Sequence, residues 1–177
     1  RLARLIDELL RFNLSRLSAP GIEPRVVRLD NVVERVLSDH SLALQNGRLR
    51  VAAQLDTISV RGDPDRLRVI VDNLLTNAIK FSPSNAVIAI GLRRNGDRAV
   101  LEVGDEGPGI PAEERTLVFE PYYQGKPPDK RRFRGTGLGL AITRDYVESS
   151  GGDIEILDAA RGALFRVRLP AVEARPA

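Results

Sequence analysis

Leu2, Leu5, Ile6, Leu9, Leu10 and Phe12 recur at alternating three- and four-residue steps, with the charged residues largely on the other side. That spacing predicts an amphipathic or coiled-coil helix plus an abrupt stop at "SAPGIEP", where Pro20, Gly21 and Pro24 break the pattern. Residues 1–18 are thereby set apart, by a linker at 19–24, from a domain at 25–170 with a short tail at 171–177. "LDNVVERVLSDHSLALQNG" carries one helical period over 29–47, with Asp30 as its cap and Gly47 past its end. "RLRVAAQL" and "TISVRGD" read as strands. Asp63 and Pro64 then open a helix that Pro83 stops.

"AVIAIGLRR" and "RAVLEVGDE" flank Asn95-Gly96, a pair that tight hairpin turns favour, and "DIEIL" with "ALFRVRLP" makes a second hairpin. Hairpins alternating with a few amphipathic helices predict a two-layer α/β sandwich. Its sheet is mixed and mainly antiparallel, its helices lie on one face, and the N-terminal helix is an appendage. Between Ile110 and Gly135 the pattern weakens.

Composition narrows the classes. With 42% hydrophobic residues in 177, the chain can bury a real core. The longest apolar runs, such as "AVIAI" at 86–90, fall far short of the roughly 20 residues of a spanning helix, so no membrane contact is expected of this stretch. There is no cysteine and only one histidine, His40, which closes off thiolate and multi-histidine metal sites. A balance of 27 basic against 24 acidic residues argues against a nucleic-acid partner. The lack of any methionine and of a signal-peptide pattern leads to the expectation of a fragment of something longer.

The helix after Asp63 carries a polar stripe. Arg66, Asn73, Asn77 and Lys80 are separated by steps of seven, four and three, which keeps them within one arc. Leu67, Ile70, Val71, Leu74, Ala78 and Ile79 supply the buried side. Alone, the stripe also fits a solvated face. As chemistry, Asn77 could offer a neutral carbonyl oxygen to Mg²⁺, which prefers oxygen ligands and keeps water and phosphate in its shell, while Lys80 one turn on could neutralise phosphate charge.

"VGDEGPGIP" follows a strand and sets Asp105, Gly107 and Gly109 at alternate positions. A carboxylate behind such a turn suits the exocyclic amine of adenine and repels the oxygen that guanine presents there; a plain acidic turn is the alternative. "RGTGLGLAITRDYVE" runs Gly135, Gly137 and Gly139 into a helix, an N-terminus suited to phosphate. A dinucleotide fingerprint would need a small residue where Leu140 stands, and a Walker loop would need Gly-Lys-Ser/Thr. Between the glycine motifs, Lys126, Lys130, Arg131, Arg132 and Arg134 make a basic stretch that reads as a solvated loop or as a lid over a triphosphate.

Together, "NLLTNAIKFS", "DEGPGIP", "VFEPYYQG" and "RGTGLGLAI" resemble, in order and spacing, the N, G1, F and G2 boxes of the ATP-binding catalytic domain of sensor histidine kinases. That domain falls within the superfamily that also holds gyrase, Hsp90 and MutL ATPases. "RLARLIDELLRFNLSRL" resembles the end of the second helix of that family's dimerisation and phosphoacceptor domain. The resemblance implies ATP and Mg²⁺ as cofactors, with Asn77 the magnesium ligand, Asn73 assisting at the metal and phosphates, and Lys80 on phosphate. It implies that Asp105 reads adenine and that Gly107, Gly109, Ile110, Gly135, Thr136, Gly137, Leu138, Gly139 and Leu140 shape the nucleotide cradle. Phe119 and Tyr122 would anchor the lid through apolar contacts.

The reaction so implied is transfer of the γ-phosphoryl group of ATP to a histidine of the protein's own dimerisation domain, for relay to a response-regulator aspartate. Homodimerisation of the full-length protein and a cytoplasmic site, with possible anchoring in the inner membrane, belong to the same expectation. The gyrase-like ATPases carry a glutamate base at the position of Asn73, and an amide cannot take that proton, so rapid ATP hydrolysis is not expected.

Nothing around His40 matches the family's acceptor box, so the acceptor is absent from this chain. Ser150 stands where many members have histidine, Glu106 where asparagine is frequent, and Ala163 where a hydroxyl residue often supports the adenine end. The alternatives are a related protein-serine kinase, and a degenerate nucleotide-binding or dimerisation scaffold that keeps the fold.

Overall fold

A computed structural model describes residues 24–125 and 135–173. The expected helix at 1–18, most of the linker, the basic stretch at 126–134 and the end of the tail lie outside the described residues. In chain order the elements are β1 (Arg25–Arg28), α1 (Leu29–Asp39), α2 (Ser41–Asn46), β2 (Arg50–Leu55), β3 (Ser59–Gly62) and α3 (Pro64–Phe81). They continue with β4 (Val87–Asn95), β5 (Arg98–Gly104), the 3-10 turns Ala112–Glu114 and Leu117–Phe119, α4 (Gly139–Ser149), β6 (Asp153–Leu157) and β7 (Leu164–Val172).

The strands form one sheet in the order β1-β3-β7-β5-β4-β2, with β6 also on β7. β2 runs parallel to β4 and every other pair is antiparallel, which is the mixed, mainly antiparallel sheet the hairpin pattern predicts. Register puts Ile90 opposite Val103, Leu92 opposite Leu101, Val103 opposite Phe165 and Leu101 opposite Val167. These side chains form the sheet's inner face, and all are buried. Against them lie Leu29, Val33 and Val36 of α1, Leu67, Ile70, Val71, Leu74, Leu75 and Ala78 of α3, and Ala141, Ile142 and Val147 of α4. Each fully buried leucine contributes about 1.5–3 kcal/mol, so the core far outweighs any surface ion pair.

The opposite face stays polar through a cross-strand charge ladder. Glu102 accepts from Arg93 and Arg166 at 2.7 Å each, Arg168 pairs with Glu155 at 3.0 Å and with Asp153 at 2.6 Å. Hydrogen bonds from Arg93 foremost, with Arg166 adding to them, hold the Glu102 carboxyl below its ordinary range against the opposing effect of burial.

α3 starts and ends where local chemistry dictates. Asp63 caps it by accepting from the Asp65 N–H at 2.9 Å, Pro64 supplies the first turn, and Ser82 turns extended (ψ 138°) ahead of Pro83.

Three local expectations are corrected and one unforeseen strand is added. The helix expected over 29–47 breaks in two at His40, whose ring bonds Asp72 on α3 at 2.8 Å. Asp30 sits inside the first turn rather than capping it; its carboxylate takes the Arg28 guanidinium, while the Leu29 N–H is tied to the Ile58 carbonyl at 2.8 Å. β1 has no alternating signal of its own and exists by pairing with β3. On α3, Leu75 is buried as well, whereas Ile79 is only partly so.

Candidate functional site

The core face of α3 turns its other edge, with half-buried Asn73, Asn77 and Lys80, toward the start of α4 and the glycine segment before it. The Asn73 amide nitrogen donates to the Gly139 carbonyl at 2.9 Å and to the Thr143 hydroxyl at 3.1 Å. Thr143, fully buried, donates its own hydroxyl to the same Gly139 carbonyl at 2.8 Å. The Asn77 side chain makes no hydrogen bond among the described residues. Lys80 Nζ lies 3.2 Å from where a β-carbon on Gly135 would stand. Arg66 takes no part: it lies over the Tyr146 ring, 5.2 Å from its centroid, and pairs with Asp63 at 3.6 Å.

Asp105 follows β5 and is buried. One carboxylate oxygen accepts from the N–H of Gly107 at 2.8 Å and of Ala163 at 3.2 Å, and the Asp105 N–H donates to the Ala163 carbonyl at 2.9 Å. Burial pushes its carboxyl above the ordinary aspartate value, with the two N–H groups pulling the other way. The turn around it is built from close backbone approaches: a β-carbon on Gly107 would fall 2.6 Å from the Phe81 carbonyl oxygen, and one on Gly162 would fall 1.9 Å from that of Asp105. A hollow of about 440 Å³ adjoins the turn, lined by residues 107–111, Arg115 and the β6–β7 connection. It shares Gly107, Gly109 and Ala163 with the surroundings of Asp105 but reaches none of Asn73, Asn77 or Lys80, so it flanks the polar edge rather than containing it.

The segments on either side of 126–134 are pinned to each other. The Tyr122 N–H donates to the Gly137 carbonyl at 2.9 Å and the Gln124 amide donates to the Gly135 carbonyl at 2.7 Å. Phe119 is buried in the core, with Arg144 of α4 over its ring at 5.9 Å and paired to Glu120 at 3.3 Å. Tyr122 is 60% exposed and takes a left-handed backbone conformation (φ 65°) where its N–H meets Gly137. Leu138 is fully buried and fixes the loop to the core, while Ile110 and Leu140 remain half-buried. Thr136 accepts from the Leu138 N–H at 3.3 Å, and α4 begins with no side-chain cap, which leaves its first N–H groups for another acceptor.

The three departures from the family pattern each have a structural role. Glu106 accepts from the Val87 N–H at 2.9 Å and so ties the turn after Asp105 to β4. Ser150 closes α4 on the Tyr146 carbonyl at 2.8 Å. Ala163 holds Asp105 by its backbone, which needs no hydroxyl. Sequence reasoning passed over Thr143 and Gly162; a hydroxyl among the apolar positions of α4 and a glycine in the β6–β7 connection were the available signals.

Among the described residues no group of three or more His, Cys, Asp or Glu is clustered to hold a metal ion, and no helix is long and apolar enough to cross a membrane.

Residues 62–173 match the family described as histidine kinase-, DNA gyrase B- and HSP90-like ATPase. The sensor histidine kinase GlrK of Escherichia coli (strain K12) is 32% identical over 170 residues, covering 96% of this chain and 36% of its own length; the chain thus spans about a third of that relative. Among solved structures, a mycobacterial sensor histidine kinase, MprB, superimposes with TM-score 0.74 at 30% identity, over 85% of this chain and 98% of that one. Full-length ShkA, solved in complex with AMPPNP, superimposes with TM-score 0.83 at 26% identity, over 99% of this chain and 37% of that one.

Proposed function

The chain belongs to the histidine kinase-, DNA gyrase B- and HSP90-like ATPase family, and on that premise we propose that it is the ATP-binding catalytic domain of a sensor histidine kinase. In this reading it binds Mg-ATP and passes the γ-phosphoryl group to a histidine of its own dimerisation domain in a homodimer, in the cytoplasm, for relay to a response-regulator aspartate.

The observation that carries the reading is the state of Asp105. One carboxylate oxygen is fully engaged by two backbone N–H groups, so the carboxylate is fixed in orientation, and the second oxygen is left to accept from an adenine amine. A buried acceptor of this kind discriminates strongly, because guanine would leave it facing another oxygen.

The donor set also fits a metal held jointly with phosphate. Mg²⁺ commonly takes one or two protein oxygens and completes its shell with water and phosphate, and the Asn77 amide oxygen supplies such a ligand without an acidic cage. Bound there, the ion would screen charge on the phosphate oxygens. Asn73 lies one turn away on the same edge, and Lys80 reaches the glycine loop at Gly135, where its ammonium would meet phosphate. The uncapped start of α4 adds N–H groups and a positive helix end.

Asn73 bears on the reaction type. An amide whose nitrogen is already bonded to Gly139 and Thr143 is no proton acceptor, so activation of water is not supported. A neutral imidazole is already a nucleophile, and positioning plus charge stabilisation suffices for transfer to it. His40 is bonded to Asp72 and is not proposed as the acceptor.

Calorimetry with Mg-ADP and Mg-GDP tests the pocket, and incubation with ATP and the separately supplied dimerisation domain tests the transfer. Selective ADP binding and acid-labile phosphohistidine on that domain are expected. Phosphoserine instead would place the chain among the related serine kinases, and nucleotide binding without any transfer would make it a scaffold.

A further inference from the structure

Thr143 is the fully buried hydroxyl of α4, and both of its capacities are used. It donates to the Gly139 carbonyl at 2.8 Å and accepts from the Asn73 amide nitrogen at 3.1 Å. The same Gly139 carbonyl accepts from Asn73 at 2.9 Å, so three residues on two helices close a small ring of hydrogen bonds.

The ring has a chemical consequence for Asn73. A backbone carbonyl can only accept, so the end of the Asn73 amide that faces Gly139 must be the nitrogen. Thr143 reinforces that choice, because its single proton is already given to Gly139 and only its lone pairs face Asn73. The Asn73 oxygen, with no hydrogen bond among the described residues, is therefore the end left over. Were the amide reversed, its NH₂ would be turned toward any cation on that edge.

We propose that Thr143 is a positioning residue for the nucleotide site: it fixes the Asn73 amide with its oxygen toward the metal and phosphate edge and secures the Gly139 end of the glycine loop. The proposal rests on the reading of that edge as a Mg-nucleotide site. Thr143 touches no ligand in this scheme and acts only through Asn73 and Gly139.

The test is calorimetric titration of the whole chain with ADP, with and without Mg²⁺, for the wild type, Thr143→Val, Thr143→Ser, and Thr143→Val in an Asn73→Ala background. Losing one buried hydrogen bond is worth about five- to tenfold, so Thr143→Val is expected to weaken Mg-ADP binding by roughly that factor, and more with Mg²⁺ than without. Thr143→Ser, which keeps the hydroxyl, is expected to stay within about twofold of the wild type. In the Asn73→Ala background the effect of the valine is expected to diminish, because one of the two residues it acts through is gone while its bond to Gly139 is still lost.

Equal Mg-ADP affinity for wild type and Thr143→Val overturns the proposal. So does an undiminished effect of the valine in the Asn73→Ala background, which would make Thr143 a packing residue only. Should Thr143→Val fail to fold by circular dichroism, Thr143→Ala against Thr143→Ser decides the same question, with loss required of alanine alone. A wild-type chain that binds no Mg-ADP overturns the nucleotide reading itself and this proposal with it, and that single titration separates the two failures.

Discussion

Asp105 and Ala163 hold each other twice, the Asp105 N–H donating to the Ala163 carbonyl at 2.9 Å and the Ala163 N–H to an Asp105 carboxylate oxygen at 3.2 Å. The Asp105 carboxylate is thus fixed by the end of the β6–β7 connection, with Gly107 as the third point of attachment.

Asp105→Asn keeps an oxygen for both N–H groups but puts an amide NH₂ where adenine presents its own. ADP affinity is expected to fall roughly 10- to 100-fold in calorimetry, the range for a buried polar group left facing the wrong partner. Stability moves the other way. Burial raises the Asp105 carboxyl pKa on folding, so the associated stability is full below the ordinary value of 3.8 and is lost as pH rises through the higher folded-state value. The asparagine variant is expected to be the more heat-stable protein at neutral pH, with the gap closing as pH falls into the acid range.

Asp30 behaves with the opposite sign. Its hydrogen bond from Arg28 lowers the carboxyl pKa, so the stability it contributes is present above the ordinary value of 3.8 and is lost as pH falls through the lower folded value. Asp30→Asn is expected to cost about 1 kcal/mol at neutral pH, since Arg28 is partly exposed and the pair is partly screened. Urea titrations across pH should show the two proteins converging in acid.

Asn77→Ala separates metal from base. Mg²⁺ is expected to strengthen ADP binding to the wild type and to do so little in the variant, while metal-free ADP affinity stays within about twofold. The melting temperature should hardly move, because a half-buried polar side chain without a described partner contributes within about 0.5 kcal/mol. An unchanged response to Mg²⁺ would remove Asn77 from the metal site.

Gly137→Ala probes the contact between the segments that flank residues 126–134. At φ 74° a β-carbon would fall 2.7 Å from the Tyr122 carbonyl carbon, so the Tyr122–Gly137 bond cannot form unaltered. Nucleotide affinity is expected to drop about tenfold or more, from a strain of roughly 1–2 kcal/mol plus the clash. Gly96→Ala is the control: φ is 60° there too, but nothing lies within 4 Å, so stability should fall and binding should not.

The sequence alone determined what depends on near neighbours. Asp63, Pro64 and Pro83 delimit α3, the spacing of Asn73, Asn77 and Lys80 puts them on one edge of it, and the β4–β5 hairpin closes one residue past the expected pair, at Gly96-Asp97 with Asn95 facing Arg98, because caps, turns and helical period act over a few residues. The glycine motifs and Asp105 were legible in the same way, as chemistry carried by short strings. Tertiary structure alone decided the partners. Asn73 meets Gly139 and Thr143 across 66 and 70 positions, Asp105 meets Ala163 across 58, and β1 exists only by pairing with β3. Tyr122 meets Gly137 across 15 positions through its backbone N–H. The physical reason is that a hydrogen bond is set by which surfaces the packed core brings within about 3 Å, and no local pattern encodes that encounter.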